Sequence, residues 1–334
     1  MSQDMKARRA VQELLTQYVG LSVNYVRLVT ASLLGPISKL SDDEKVSECI
    51  DDAFYVYRDV VSRSISTNSV ITTNTIFNVI SEKIGELSDI LRKESFGMRT
   101  PELPPRCAIL LNALDMTSVY LSKLVSFVEA GVMKQFKGDD SSILEYSLND
   151  LKRLSELLSE RRDSLLKDAV AANKDGIDSL VRPFQNKGWT NEARGAITVD
   201  VEAYLQGQVS ASFGRLSASF KAGLNQANFA LFRGRVATIF ASKMELILKD
   251  SRFDSRGALL FDRMVRFFVS FFGSEEPFRR LTQVAYVINL ESPDDLREAL
   301  GPDAPFEWIF TNEGIREIVN LRLDWKGAVL PFLK

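Results

Sequence analysis

Histidine is absent from this chain of 334 residues, and only two cysteines occur, Cys49 and Cys107. Without histidine there is no Ser-His-Asp or Cys-His catalysis, no histidine metal site and no ordinary pH switch. Two thiols are too few for a disulfide framework or a four-cysteine zinc site. Each sits in an apolar helical context that reads as a buried, reduced thiol. No unbroken apolar run approaches the roughly 18 residues of a membrane span. The densest run, Phe267 to Phe272 (FFVSFF), is too short, and a helix buried on all sides is expected there. No Asn-X-Ser/Thr acceptor occurs, and the basic start MSQDMKARRA lacks the apolar stretch of a signal peptide. These features read as a soluble protein of a reducing compartment. Net charge is only −2, so nothing draws the whole chain toward nucleic acid or an anionic membrane. No glycine-rich phosphate cradle and no G-x-S-x-G elbow is present, so no cofactor is implied.

What is present is helical periodicity. Apolar residues make up 45% of the chain, enough to bury a core. Val11, Leu14, Leu15, Tyr18, Leu21 and Val26 recur near 3.6-residue spacing in a helix over 5–34, which Gly35-Pro36 ends. Ser41 with Glu44 reads as a capping box opening a second helix, whose broad face is Val46, Ile50, Phe54, Tyr57, Val60 and Val61. The Ser/Thr/Asn-rich stretch 66–75 predicts a turn, and a third helix carries Ile76, Phe77, Ile80, Ile84, Leu87 and Leu91. Residues 94–105 form a proline-rich loop. A fourth helix spans 106–136 and KGDDS breaks it. A fifth starts at Ser142, with Leu144, Leu148, Leu151, Leu158 and Leu165 in a heptad-like stripe that lapses at Ser155 and Arg162. Polar, glycine-bearing residues 186–198 mark a domain boundary, giving a bundle of long helices over 1–190 and a bundle of shorter ones over 191–334. The second holds helices at 199–224, 229–249, 258–272, 275–289, 292–300 and 311–323, with 306–310 (FEWIF) as an extended connector. The fold class is all-α.

Candidate chemistry is sparse. The acidic pairs Asp42-Asp43, Asp51-Asp52, Asp139-Asp140, Glu275-Glu276 and Asp294-Asp295 read mostly as helix-start charges that complement the macrodipole. Neighbours on a helix do not face each other, so none is by itself a catalytic dyad. Ser274 is a cap candidate. The doublets Arg161-Arg162 and Arg279-Arg280 read as solvated helix faces. Phenylalanines clustered over 229–278 read as core. Trp308 and Trp325 frame the last helix and anchor it at a solvent boundary.

The end of the chain supplies more. LKDSRFDSRGALLFDRMVR, AYVINLE and FEWIFTNEGIREIVNLRLDW fall in an order and spacing that resemble the C-terminal region of subunit four of the conserved oligomeric Golgi complex, a vesicle-tethering complex. Phe261-Asp262, Arg266, Asn289-Leu290-Glu291, Trp308, Thr311, Arg316, Leu321-Arg322 and Asp324 carry the likeness. A weaker echo lies in VQELLTQYVGLSVNYVRLVT and DDAFYVYRDVVSRSISTNSV, and residues 94–235 match only in helix layout. The resemblance implies elongated stacked helical bundles of the multisubunit-tether (CATCHR, exocyst-like) type. It implies a non-enzymatic role in retrograde transport within the Golgi, through recognition of other subunits of the complex and of SNARE or SM fusion proteins. It also implies a place on the cytoplasmic face of the Golgi membrane, reached through partners, beside a cytosolic pool. The alternative is a subunit of another helical-rod tether of exocyst type, or a general scaffold. In the family an arginine before a Gly-Gly turn pairs with a glutamate of the last helix. Those places hold Ser255 and Gly314 here, so a shifted pair, Arg256 with Glu313, is expected to tie that turn to the final helix. The structural or partner-binding candidates are Arg256, Glu313, Asp262, Arg266, Arg316, Arg322, Asp324 and Trp308, with no catalytic, cofactor or metal residue among them.

Overall fold

The computed structural model describes residues 3–35, 37, 42–94, 102–185, 189–190, 200–301, 304 and 306–325. They divide into two compact units, Met1–Ala172 with Phe220–Asn228, and Asn173–Ser219 with Phe229–Lys334. Residues 186–188 and 191–199, around the expected 190/191 boundary, lie outside the described residues.

The first unit contains α1 (Gln3–Leu34), α2 (Asp43–Ser66), α3 (Val70–Glu94), α4 (Pro105–Gln135) and α5 (Asp139–Ala172). The face expected of α2 is the face it buries, with Val46, Ile50, Phe54, Tyr57, Val60 and Val61 all inside. Ser41 lies outside the described residues. Asp42 is the N-cap of α2 and accepts the Glu44 amide at 3.1 Å. Pro36 and most of the 94–105 loop also lie outside them. The turn expected across 66–75 shrinks to Thr67–Ser69. There the Ser64 carbonyl accepts the Thr67 and Thr73 hydroxyls, the Ser69 hydroxyl oxygen accepts the Thr72 amide, and Asn68 takes the left-handed conformation (φ 52°). Short polar side chains thus satisfy both helix ends, and little free loop is needed.

Helix α4 is the centre of this unit and packs on α2 and α5. Its first turns, Cys107 through Asp115, are buried without a break. It is long and apolar enough to cross a membrane, but 67% of its most apolar stretch is buried inside the structure, which accounts for its composition. Helix α5 starts at Asp139 rather than Ser142, with Asp139 and Asp140 in its first turn, where negative charge complements the dipole. The lapse of its stripe at Arg162 has a partner: the guanidinium pairs with Asp115 of α4, both side chains largely buried. Arg161 reaches Ser88 and Asp89 of α3. The first basic doublet therefore bridges helices and is not a solvated face. Asp51-Asp52 sits inside α2 rather than at a helix start.

The second unit holds α6 (Lys174–Val181), α9 (Ser255–Phe272), α10 (Arg279–Ile288), α11 (Leu296–Ala299), α12 (Asn312–Val319) and most of α7 (Val201–Gly223) and α8 (Gln226–Lys249). Its core is aromatic. Phe240 meets Phe268 edge-to-face at 4.9 Å, and Phe184, Phe253, Phe261, Phe272 and Phe278 are fully buried around them. Such pairs add about 0.5–1.5 kcal/mol each beyond area burial. Helix α9 is capped by Asp254 at its start and by left-handed Gly273 at its end; the 3-10 turn Glu276–Phe278 that follows has Glu275, not the expected Ser274, at its N-cap position. The FFVSFF run is not buried on all sides. Phe268 and Phe272 face the core, Ser270 is exposed, and half-buried Phe267 and Phe271 stack on each other at 5.3 Å. Asp294 and Asp295 do sit at a helix start, in a capping box with Ser292.

Candidate recognition surface of the second unit

Three distant segments of the second unit meet through backbone bridges at Trp189, Phe253 and Arg322. The Phe253 amide donates to Leu321 O at 2.8 Å, Leu323 N donates to Phe253 O at 3.0 Å, and Asp254 N donates to Trp189 O at 3.3 Å. Among the described residues these are isolated bridges, with no strand. Phe253 is fully buried against the Trp189 and Phe261 rings.

Arg322 locks this node. It is 5% exposed, donates from Nη1 to Ile288 O, and forks onto Asp324 through Nε at 2.9 Å and Nη2 at 2.6 Å. Its guanidinium lies 4.4 Å over the Trp325 ring. A planar fork suits a bidentate carboxylate and an aromatic face together, which lysine cannot match. The hydrogen bonds from Arg322 hold the Asp324 carboxyl below the usual range, against the opposing effect of burial. Asn289 donates to Ala258 O at 2.9 Å and to Ala285 O at 2.8 Å, joining α9 to the end of α10.

The other expected residues scatter. Asp262 and Arg266 form an ion pair along α9 at 2.9 Å, with Arg266 at the surface. Trp308 is half-buried, donates from Nε1 to Ala299 O at 3.0 Å and meets Phe306 at 4.8 Å. Arg316 is exposed in the last turn of α12, where a cation complements the dipole. Arg256 and Glu313 are both exposed, and among the described residues no ion pair joins them. The backbone bridges at Phe253 and the buried fork of Arg322 make the tie that this pair was expected to make. Arg322→Ala should therefore cost about 2–3 kcal/mol, because it leaves the Ile288 carbonyl without its donor and the Trp325 ring without its cation, while the Asp324 carboxylate can turn to water. Arg256→Ala and Glu313→Ala should each stay within about 0.5 kcal/mol, as exposed residues do. Denaturant titration of the three variants checks this. Asp324 adds a pH signature. Its folded pKa is depressed, so its contribution is present above the unfolded value near 3.9 and fades as pH falls through the lower folded value. Arg322→Ala should flatten that acid limb.

Sequence reasoning missed Gln283, which is 3% exposed. Its amide donates to Glu307 O at 2.7 Å and accepts the Ile309 amide at 3.0 Å, holding the non-helical 306–310 connector by its peptide groups. The second basic doublet also binds across elements. Arg280 pairs with Glu245 at 2.9 Å and lies 4.3 Å over Phe310, in a groove of about 390 Å³. Arg279 pairs with Glu276 and Glu307 beside a second groove of about 570 Å³ that Asp262 and Arg266 also line. Both grooves carry charges of both signs, and among the described residues no cluster of three or more Cys, Asp or Glu is placed to hold a metal ion.

The family model for the C-terminal part of conserved oligomeric Golgi complex subunit 4 matches residues 107–317. The chain belongs to that family. The match takes in most of the 94–235 stretch that helix layout alone suggested. The subunit from Arabidopsis thaliana is 22% identical over 98% of this chain and 47% of its own length. The Homo sapiens subunit is 21% identical over 97% of this chain and 47% of its own. The chain thus spans about half the length of these curated relatives. In fold it is similar to the C-terminal domain of the exocyst subunit Sec6p, with a TM-score of 0.51 at 11% identity, covering 97% of this chain and 89% of that one. The chain therefore shares its all-α, exocyst-like architecture with that domain.

Proposed function

We propose that this chain is a non-enzymatic part of a vesicle-tethering complex that serves retrograde transport within the Golgi by binding other subunits of the complex. Family membership supports the assembly, and one feature of the first unit supports the mode. On α1, Val11, Leu14, Tyr18, Leu21, Tyr25 and Leu28 recur at alternating spacings of three and four residues. Leu14, Leu21 and Leu28 are 66%, 72% and 71% exposed. A stripe of this period fits the a and d positions of a second helix, and soluble surfaces rarely leave so much contiguous apolar area uncovered. The occupant in this reading is a helix of another subunit carrying its own apolar heptads. Residues Gln17, Ser22 and Asn24 flank the stripe without charge, so the contact should be insensitive to salt. Many modest contacts of this kind on one assembly hold a vesicle by effective concentration. SNARE or SM fusion proteins are its further partners, and Golgi membrane is reached from the cytoplasmic side through them.

The test is affinity capture from eukaryotic cytosol with the tagged chain, read by mass spectrometry beside a Leu14→Glu, Leu21→Glu, Leu28→Glu variant. Recovery of Golgi-complex subunits that drops about ten-fold or more in the variant is expected, since each buried leucine contributes about 1.5–3 kcal/mol. Recovery of exocyst-type subunits, or equal recovery by both proteins, would overturn the reading.

A further inference from the structure

A groove of about 410 Å³ lies between α2 and α4 of the first unit. It is built from matched registers: Asp51, Tyr55 and Arg58 on α2 face Tyr120, Lys123 and Phe127 on α4. Each set spans i to i+7, so the groove runs about two helical turns, roughly 10 Å. Buried Phe54, stacked on Tyr120 at 5.6 Å, lies beneath. Tyr55 projects into solvent, 75% exposed.

The charges are unequal. The Asp51 carboxylate is engaged by the Tyr120 hydroxyl, whose pKa that hydrogen bond raises. The two cations have no carboxylate: among the described residues neither Arg58 nor Lys123 takes part in an ion pair. They rest on rings instead, Arg58 4.9 Å over Phe127 and Lys123 5.3 Å over Tyr120. Elsewhere in the same unit, exposed or half-exposed cations between helices do find acids, as Lys152 finds Glu129 and Arg161 finds Asp89. A concave aromatic wall with two open cations at its rim fits a ligand with an apolar anchor flanked by negative charge.

We infer that the α2–α4 groove docks a short acidic amphipathic peptide segment of a partner protein, with an apolar side chain against Tyr55, Tyr120 and Phe127 and carboxylates on Arg58 and Lys123. The helix-in-groove mode matches the length and register of the site. A lipid surface matches it less well, because anionic membranes favour broad clusters of cations, whereas this site has two in a concavity beside a carboxylate. The site lies on different helix faces from the α1 stripe, and the inference stands whichever partner that stripe takes.

The probe is a peptide library about four turns long, with leucine fixed at one i, i+4 pair and Glu, Lys, Ser or Ala elsewhere. It is passed over the immobilised protein and the bound fraction is sequenced. The wild-type chain should enrich Glu over Lys about ten-fold, and the Arg58→Glu, Lys123→Glu variant should reverse that preference, because charge opposition sets specificity at a rim. Tyr55→Ala should lower total retention about five-fold while leaving the Glu/Lys ratio unchanged, because it removes an anchor and no charge. All three positions are exposed on helices, and unchanged thermal melts identify variants that fold. An unchanged Glu/Lys ratio in the double variant, or no retained peptide, would overturn the inference. So would sedimentation with vesicles of about 30% phosphatidylserine that the double variant loses, which would assign both cations to a membrane.

Discussion

Gly257→Ala is expected to destabilise the second unit by about 3 kcal/mol or more, the range of severe steric lesions. Gly257 lies in the first turn of α9, where the backbone is not left-handed. By propensity alone alanine there would be neutral or stabilising by up to about 1 kcal/mol. Space decides the opposite sign. A Cβ on residue 257 would lie 1.6 Å from the Trp189 carbonyl oxygen and 2.6 Å from its carbonyl carbon. Both are backbone atoms, so no side-chain rotation relieves the clash. Trp189 cannot retreat, since its ring is packed between Phe184, Phe253 and Phe261. Nor can the helix start, since Asp254 caps it through the Gly257 amide at 2.7 Å. All three tryptophans, Trp189, Trp308 and Trp325, belong to the second unit, so their fluorescence during denaturant titration reads that unit alone. Gly234→Ala is the control. Nothing lies within 4 Å of a Cβ there, and this position inside α8 should gain roughly 0.5–1 kcal/mol. Equal stability of Gly257→Ala and the parent would refute the close approach of Trp189.

The second large effect is expected at Asn112 in α4. Its Oδ1 accepts the Asn225 amide at 2.9 Å and the Asn228 side-chain amide at 3.2 Å. Its Nδ2 donates to Gly223 O at 3.0 Å and, more weakly, toward Asp43 at 3.3 Å. Asp115, one turn on, accepts from Asn225 Nδ2 at 2.9 Å and pairs with Arg162. One amide thus fastens the Phe220–Asn228 corner to the first bundle. Asn112→Ala strands several of these groups in a buried place, and a stranded group costs about 1–3 kcal/mol. Shared partners do not add simply, so about 3 kcal/mol is the expected total. The local readout is hydrogen exchange, in which the Asn225 amide should lose its protection. Asn112→Asp should differ in its pH dependence. It keeps the acceptor but sets a second carboxylate against Asp43, whose pKa burial already pushes up. Like charges and burial raise both folded values. The deficit should therefore be full above those raised values and shrink as pH falls, when a proton restores a donor. A deficit in Asn112→Asp that is flat with pH would show that residue 112 does not face Asp43 as described.

The helical class was legible from the residues because 3.6-residue periodicity is local. So were the buried face of α2, the acidic helix starts at Asp139 and Asp294-Asp295, and the phenylalanine core. A helix declares which of its faces is apolar without reference to anything distant. The family, too, was readable from the spacing of its last segments. The sequence was silent on which polar residue meets which. Arg162 and Asp115 lie 47 positions apart, Asn112 and Asn225 lie 113, and Arg322 and Ile288 lie 34. Reading outward from neighbours, Arg162 looked like a lapse in a stripe, and the family resemblance implied Arg256 with Glu313 as the tie to the last helix. Packing gave Arg162 a partner in Asp115 and gave the tie to the last helix to buried Arg322 and Phe253. A polar group acquires a structural role only when an opposing helix removes its water and offers a partner. Which helix lies opposite is set by the assembled bundle. Periodicity therefore determined the helices and their apolar faces, while the tertiary structure decided the clasps between them and left the α1 stripe and the α2–α4 groove open.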